Sequence, residues 1–169
     1  GTWVKWKPQN YDGSTGGLTT FREGLRKSFN LISVRMVQQD IAPAEQVKQM
    51  AKRMGINSDI RAVDAIALGT SEVYPIEIVS AYAALANQGV YSKPFGITRV
   101  EDRYGNVIKD YYPDRKEVLS EETAYLMTSL MQTVMDRGTG GSARWKYKFN
   151  RPAAGKTGTT QGWSDAWFV

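Results

Sequence analysis

Two short stretches of this 169-residue chain carry residue types that can do chemistry. The first is Lys156-Thr157-Gly158-Thr159-Thr160, preceded by the small residues Ala153, Ala154 and Gly155. Small neighbours leave room for another group to approach. Read as a strand, the stretch offers one cation, several hydroxyls and an unblocked backbone edge. Gly158 has no side chain, so a ligand backbone can lie along it. Thr157 and Thr159 are two apart, so their hydroxyls share one face. A carboxylate near that face would meet two hydroxyl donors and an ammonium. The same letters resemble a phosphate loop, but that pattern needs glycine at position 150, where Asn150 stands. A phosphate loop is therefore rejected. The competing reading is a surface strand with a solvated lysine.

The second stretch is Ser28-Phe29-Asn30, at the junction of two helical patterns. Serine offers a hydroxyl that can relay a proton. Asparagine offers an amide that holds a peptide group by donor and acceptor together. Both face one cleft only if the junction is not regular helix. The competing reading is an ordinary N-cap, where Ser or Asn precedes an apolar run.

Composition narrows the chemistry further. The chain has no histidine and no cysteine. That excludes an imidazole base, an imidazole metal ligand, a thiolate nucleophile and a disulfide. Hydroxyls, amines, carboxylates, amides and backbone dipoles remain. No metal and no cofactor is expected. Lys and Arg number 22 against 17 Asp and Glu, a net charge of +5. The basic residues are spread out, apart from Arg144, Lys146, Lys148 and Arg151. No nucleic-acid motif accompanies them, so no nucleic-acid partner is expected. Hydrophobic residues make up 41% and charged residues 23%, enough for a globular core. No segment approaches the roughly 20 apolar residues of a membrane span.

These residues need elements to position them. Thr19 or Thr20 with Glu23 reads as a capping box opening a helix that runs to about Lys27. A second apolar pattern runs from Leu31 through Val34 to Val37 or Gln38. Pro43 and Gly55 bracket a helix with a stripe of Val47, Met50, Ala51 and Met54. Pro75 and Gly89 bracket another, with Ile76, Val79, Ala83 and Ala86 as its packing face. Ile97 to Glu101 and Val107 to Tyr111 read as a β-hairpin around Asp102–Asn106. Ser120 caps a helix that buries Leu126, Met127, Leu130, Met131, Val134 and Met135, and Gly138 ends it. Ala153 to Thr159 and Asp165 to Val169 read as two strands joined at Gln161-Gly162. Helices segregated from antiparallel strands make an α+β fold. Trp163, Trp167, Phe168 and Val169 read as a strand in mid-course, and the start is equally abrupt. The expectation is a piece of a longer protein, which the reading frame on either side would test.

Ser-x-Asn and Lys-Thr-Gly, in that order, are two of the three motifs of serine β-lactamases and penicillin-binding proteins. The chain resembles the transpeptidase domain of a class A, bifunctional penicillin-binding protein over almost its whole length. The resemblance rests on Pro8-Gln9-Asn10-Tyr11-Asp12-Gly13, Ser28-Phe29-Asn30, Leu68 to Val73, Ala81 to Gly89, Gly138-Thr139-Gly140, Ala154 to Thr160 and Asp165 to Val169. It implies the penicillin-binding, β-lactamase-like α+β fold. It implies a D,D-transpeptidase that cross-links peptidoglycan: a serine attacks the D-Ala-D-Ala bond of a stem peptide, and the acyl group passes to an amine. β-Lactams mimic the dipeptide and trap the acyl-enzyme. Ser28 would then relay a proton near the leaving group, and Asn30 would hold the substrate amide. Lys156 would supply positive potential and support Ser28. Thr157, Gly158, Thr159 and Thr160 would line the substrate. The Thr157 and Thr159 hydroxyls would hold the terminal carboxylate, and the Thr159 N–H would be one oxyanion donor. The domain would work outside the cytoplasm, its parent anchored by an N-terminal transmembrane helix beyond this chain.

One departure is large. The family's nucleophile comes from Ser-x-x-Lys, and none of the eleven serines here has lysine three residues on. Residues 1–169 are therefore expected to be a partial domain. They would lack the upstream Ser-x-x-Lys segment, supplied covalently or as another chain, and the final strand and helix. Alone, such a chain is expected neither to acylate nor to fold stably. The alternatives are a D,D-carboxypeptidase or β-lactamase relative, and a non-catalytic peptidoglycan-binding or sensor domain of the same fold.

Overall fold

The computed structural model describes residues 6–15, 17–160 and 165–169. The capping signal before the first helix holds in part. Thr20 caps α1 (Phe21–Lys27), its hydroxyl accepting from the Glu23 N–H. Glu23 turns its carboxylate toward Arg26 and Lys27, at 2.6 and 3.4 Å, instead of back to the cap. Arg26, and then Lys27, pull its carboxyl down to about 2.

α1 ends in a Schellman turn. Ser28 N–H donates to the Leu25 carbonyl, and Phe29 N–H to the Gly24 carbonyl. Such a turn places its closing residue in the left-handed region, and Ser28 sits there at φ 56°, ψ 45°. The chain then turns straight into α2 (Asn30–Gln38). Gly24 packs closely on α2 at this corner, where a Cβ would lie 2.5 Å from the terminal Cδ1 of Ile32 and make that side chain shift. Ser28 and Asn30 are not N-caps. Phe29 holds the cap position of α2 with no side-chain bond. Asn10, 21 residues before Leu31, does that work at a distance: its Oδ1 accepts from the Leu31 N–H at 3.0 Å.

The middle of the chain packs as a helical layer. α3 (Ala44–Arg53) starts one residue after Pro43, which is its cap and not its first helical residue. Gly55 follows it at φ +95°. Val47, Met50, Ala51 and Met54 are half-buried, so that stripe faces inward. α4 (Pro75–Ala86) starts on Pro75 as expected. Its packing face is corrected. Ser80, Ala81, Ala84 and Leu85 are buried, while Ile76 and Val79 are 57% and 51% exposed and Ala83 and Ala86 face outward. Val79, Ala83 and Ala86 each lie two residues from Ala81 or Ala84, hence on the opposite side of the helix. With apolar residues all round, period alone does not choose the buried side. Close approach chooses it: Ala81 packs with Ile56 and Ile60.

α5 (Glu121–Arg137) starts where Ser120 accepts from the Thr123 N–H at 3.3 Å. Met131, Val134 and Met135 are buried as expected, and Met127 and Leu130 half-buried. Leu126 is 60% exposed, a second correction. It lies two residues from fully buried Ala124, on the far side. α1 packs along α5. Arg22 donates to the Ser129 carbonyl at 2.8 Å and to the hydroxyls of Thr133 and Ser129 at 2.7 and 3.1 Å.

Among the described residues the strands form three antiparallel pairs. β1 (Val90–Ser92) pairs with β4 (Arg115–Glu117), a pairing the sequence did not suggest. β2 (Arg99–Glu101) and β3 (Val107–Asp110) make the expected hairpin, irregular at Val100/Glu101. Its loop folds around Asp102, whose carboxylate accepts from Tyr104 N–H, Asn106 N–H and the Asn106 amide. β5 (Thr157–Thr159) pairs with β6 (Ala166–Phe168). Both are shorter than the apolar runs predicted, although Lys156 and Val169 add two backbone bonds at 2.8 and 3.2 Å. The expected turn at Gln161-Gly162 lies outside the described residues, as does Trp163. A 3-10 helix (Asp64–Leu68) and the short α6 (Ser142–Trp145) also belong to the α+β layout of the described residues. Among the described residues, no helix is long and apolar enough to cross a membrane.

Candidate functional site

The two chemical stretches, 128 residues apart, meet. Lys156 Nζ donates to Ser28 Oγ at 2.7 Å and to the Thr157 carbonyl at 2.9 Å. The contact exists because of the α1–α2 corner. A left-handed Ser28 turns its side chain out of both helices, where regular helix would lay it along the surface. Lys156 accepts no proton from Ser28 in this arrangement, so the serine's own hydroxyl hydrogen stays available to a third group.

Partial burial lowers the Lys156 pKa from its ordinary value by desolvating the ammonium. Among the described residues no carboxylate pairs with Lys156. The positive field beside Ser28 is thus uncompensated and favours an incoming anion. The same residues include no acidic cluster that could hold a metal ion.

The other predicted residues lie around this pair. Asn30 opens α2, with its Nδ2 donating to the Gln9 carbonyl at 2.8 Å. That bond fixes the amide plane and leaves its oxygen uncommitted to Gln9. Thr157 and Thr159 share one face of β5, opposite Phe168 and Ala166 in the ladder. Gly158 stands exposed between them, and a Cβ there would meet nothing within 4 Å. Gly155 differs: a Cβ would overlap the Phe168 ring and the Val169 carbonyl. One glycine serves packing, the other leaves open space. Thr160 is turned to its own hairpin, its hydroxyl accepting from the Asp165 N–H at 2.9 Å.

The structure adds residues the chemistry-first reading did not single out. Thr139, just past α5, bonds the Thr157 hydroxyl with its own at 2.8 Å. Its N–H donates to the Arg26 carbonyl at 3.2 Å. Arg26 in turn donates to the Arg137 carbonyl. Asn10 is 5% exposed and seats α2, with its amide held by Ser14. Within the basic patch, Arg144 is committed to Asp136 and to the carbonyls of Phe149 and Arg151.

A serine hydroxyl bonded to a lysine that has no carboxylate partner among the described residues, next to a Thr-Gly-Thr strand, can polarise a hydroxyl and hold an anion. The family model described as the penicillin-binding protein transpeptidase domain matches residues 1–169, and the chain belongs to that family. It is 35% identical to penicillin-binding protein 1A of Aquifex aeolicus, over 97% of this chain and 22% of that protein. It is 32% identical to penicillin-binding protein 1A of Neisseria meningitidis, over 97% of this chain and 21% of that protein. Among solved structures, penicillin-binding protein 1A of Haemophilus influenzae superposes with a TM-score of 0.87 and 25% identity, covering 96% of this chain and 30% of that one. PonA1 of Mycobacterium tuberculosis, solved in complex with penicillin V, gives 0.76 and 26%, covering 95% and 46%. The chain thus spans about a fifth of the length of the relatives it matches.

Proposed function

We propose that these residues form one wall of the cleft of a serine D,D-transpeptidase, within a longer class A penicillin-binding protein that cross-links peptidoglycan stem peptides. The observation that carries the reading is the 2.7 Å bond from Lys156 to Ser28. In this reading the nucleophilic serine comes from a Ser-x-x-Lys element of the parent outside these residues, since no serine here has that spacing. Ser28, polarised by Lys156, passes a proton to the leaving amine when the D-Ala-D-Ala bond breaks. Asn30, held by Gln9, receives the substrate amide. Thr157 and Thr159 bind the terminal carboxylate, Gly158 lets the substrate backbone lie against β5, and the Thr159 N–H supports the oxyanion. Thr160 shapes the end of that edge. Penicillin V bound to PonA1 supports β-lactams as ligands of the same cleft. The domain works outside the cytoplasm, and a membrane anchor belongs to the parent.

The test uses the full-length parent and a fluorescent penicillin. Lys156→Ala and Ser28→Ala should each lower the acylation rate by about 100-fold or more. Undiminished labelling of both variants would sink the assignment. A wild-type parent that binds muropeptides but never labels would make this a non-catalytic binding domain. Product analysis with an amine acceptor separates transfer from the hydrolysis expected of a carboxypeptidase or β-lactamase.

A further inference from the structure

The Thr139 hydroxyl has no role in the reading above, yet it touches the strand that carries most of it. Thr139 sits at the node of a closed circuit. Its N–H holds the Arg26 carbonyl at 3.2 Å, two residues before Ser28. Its hydroxyl lies 2.8 Å from the Thr157 hydroxyl, next to Lys156. Lys156 closes the circuit on Ser28 at 2.7 Å. Gly138 makes the node possible, because a Cβ there would overlap the Arg26 carbonyl.

We infer that Thr139 is a positioning residue that aims the Thr157 hydroxyl hydrogen at the substrate carboxylate. The inference rests on the proposed transpeptidase reading and deepens it. Each threonine hydroxyl has one hydrogen to give. If Thr157 is to donate to a carboxylate, it must accept from Thr139. The only order that serves the anion is Thr139 O–H to Thr157 Oγ1, then Thr157 O–H to the carboxylate. With the reverse order, Thr157 would spend its hydrogen on Thr139 and present lone pairs to an anion. Anion binding therefore selects one polarity of the pair, and donors linked in this way strengthen one another. No bond breaks at Thr139 and no proton leaves it.

The experiment takes the full-length parent, with penicillin and a penicillin methyl ester as paired probes. Thr139→Val keeps the shape and removes the hydroxyl, and Thr139→Ser keeps the hydroxyl. For the free acid, Thr139→Val should raise the dissociation constant of the pre-acylation complex about fivefold, the effect of one lost neutral hydrogen bond behind the Thr157 donor. The acylation rate constant of the bound complex should change little. The wild-type preference for acid over ester should shrink by the same factor. Thr139→Ser should restore it. A Thr139→Val variant with the full acid-over-ester preference overturns the inference, as does a Thr139→Ser variant no better than valine. If the wild-type parent does not acylate at all, the transpeptidase reading falls first, and this inference with it. If wild type acylates and Thr139→Val behaves like it, only this inference falls.

Discussion

At the residue scale, Ser28 combines two properties that usually exclude each other. Its left-handed backbone is the position where glycine is strongly favoured, because a Cβ costs about 1 kcal/mol or more there. Yet its hydroxyl bonds Lys156, so glycine would remove the chemistry. Strain of this kind clusters at functional sites. Ser28→Gly and Ser28→Ala should both lose penicillin labelling in the parent. Ser28→Gly should be the more stable of the two by about 1 kcal/mol, read from thermal unfolding. Equal melting would show that the backbone stores nothing. Lys156 yields a pH prediction. Its pKa is depressed below the ordinary 10.5 by burial. Between the folded and the unfolded value, the unfolded chain holds the proton and the folded chain does not, so stability rises with pH. Below that window the buried ammonium is a constant penalty. Denaturation of wild type and Lys156→Met should therefore show wild type gaining on the variant as pH climbs toward 10.5. A gap that stays constant through the alkaline range would count against the burial argument.

At the element scale, the site depends on how closely α1, the end of α5 and β5 approach one another. Gly138 sets one approach and Gly158 leaves another face free. Gly138→Ala should push the Arg26 carbonyl away, move Ser28 from Lys156, and cost about 1–3 kcal/mol. Gly158→Ala meets no atom, so stability should stay within about 0.5 kcal/mol while penicillin binding weakens. Comparing the two melting curves with the two labelling rates checks both statements. Arg22 clamps α1 to α5 through three bonds, one of them to buried Thr133. Arg22→Met should strand those acceptors and lower stability by about 1–3 kcal/mol, with labelling lost in proportion. The element boundaries were largely legible in the sequence: Thr20, Pro75 and Ser120 start helices, and Asp102–Asn106 folds a hairpin. The faces of α4 and the first turns of α5 were not, because apolar residues surround both helices and only the neighbour decides.

At the scale of the whole molecule, these residues leave much apolar surface open. Leu18 before α1 and Phe21 at its start, Tyr125 and Leu126 on α5, and Trp167 and Phe168 on β6 are all exposed. Among the described residues, β5 and β6 form a ribbon of two strands, too few for independent stability in water. The 169-residue polypeptide expressed alone should bind a hydrophobic dye strongly and aggregate, and should fail to label with penicillin. A sharp cooperative unfolding transition with little dye binding would contradict this. On the proposed transpeptidase reading, adding a Ser-x-x-Lys element should suppress dye binding and restore labelling together.

Residue chemistry and local order were set by sequence alone. The absence of His and Cys confines the site to hydroxyl, amine and amide chemistry. Lys156-Thr157-Gly158-Thr159 reads as an anion-binding strand, and the order of motifs marks the family. Tertiary structure decided the rest. It showed that Ser28 closes a Schellman turn at the end of α1 and is not the N-cap of α2, that Asn10 seats α2 from a distance, and that Thr139 joins α1 to β5. It also brought Lys156 to within 2.7 Å of Ser28. The physical reason is range. Caps, turns and strand alternation are governed by neighbours a few residues apart, whereas a hydrogen bond spanning 128 positions depends on every helix packed between them.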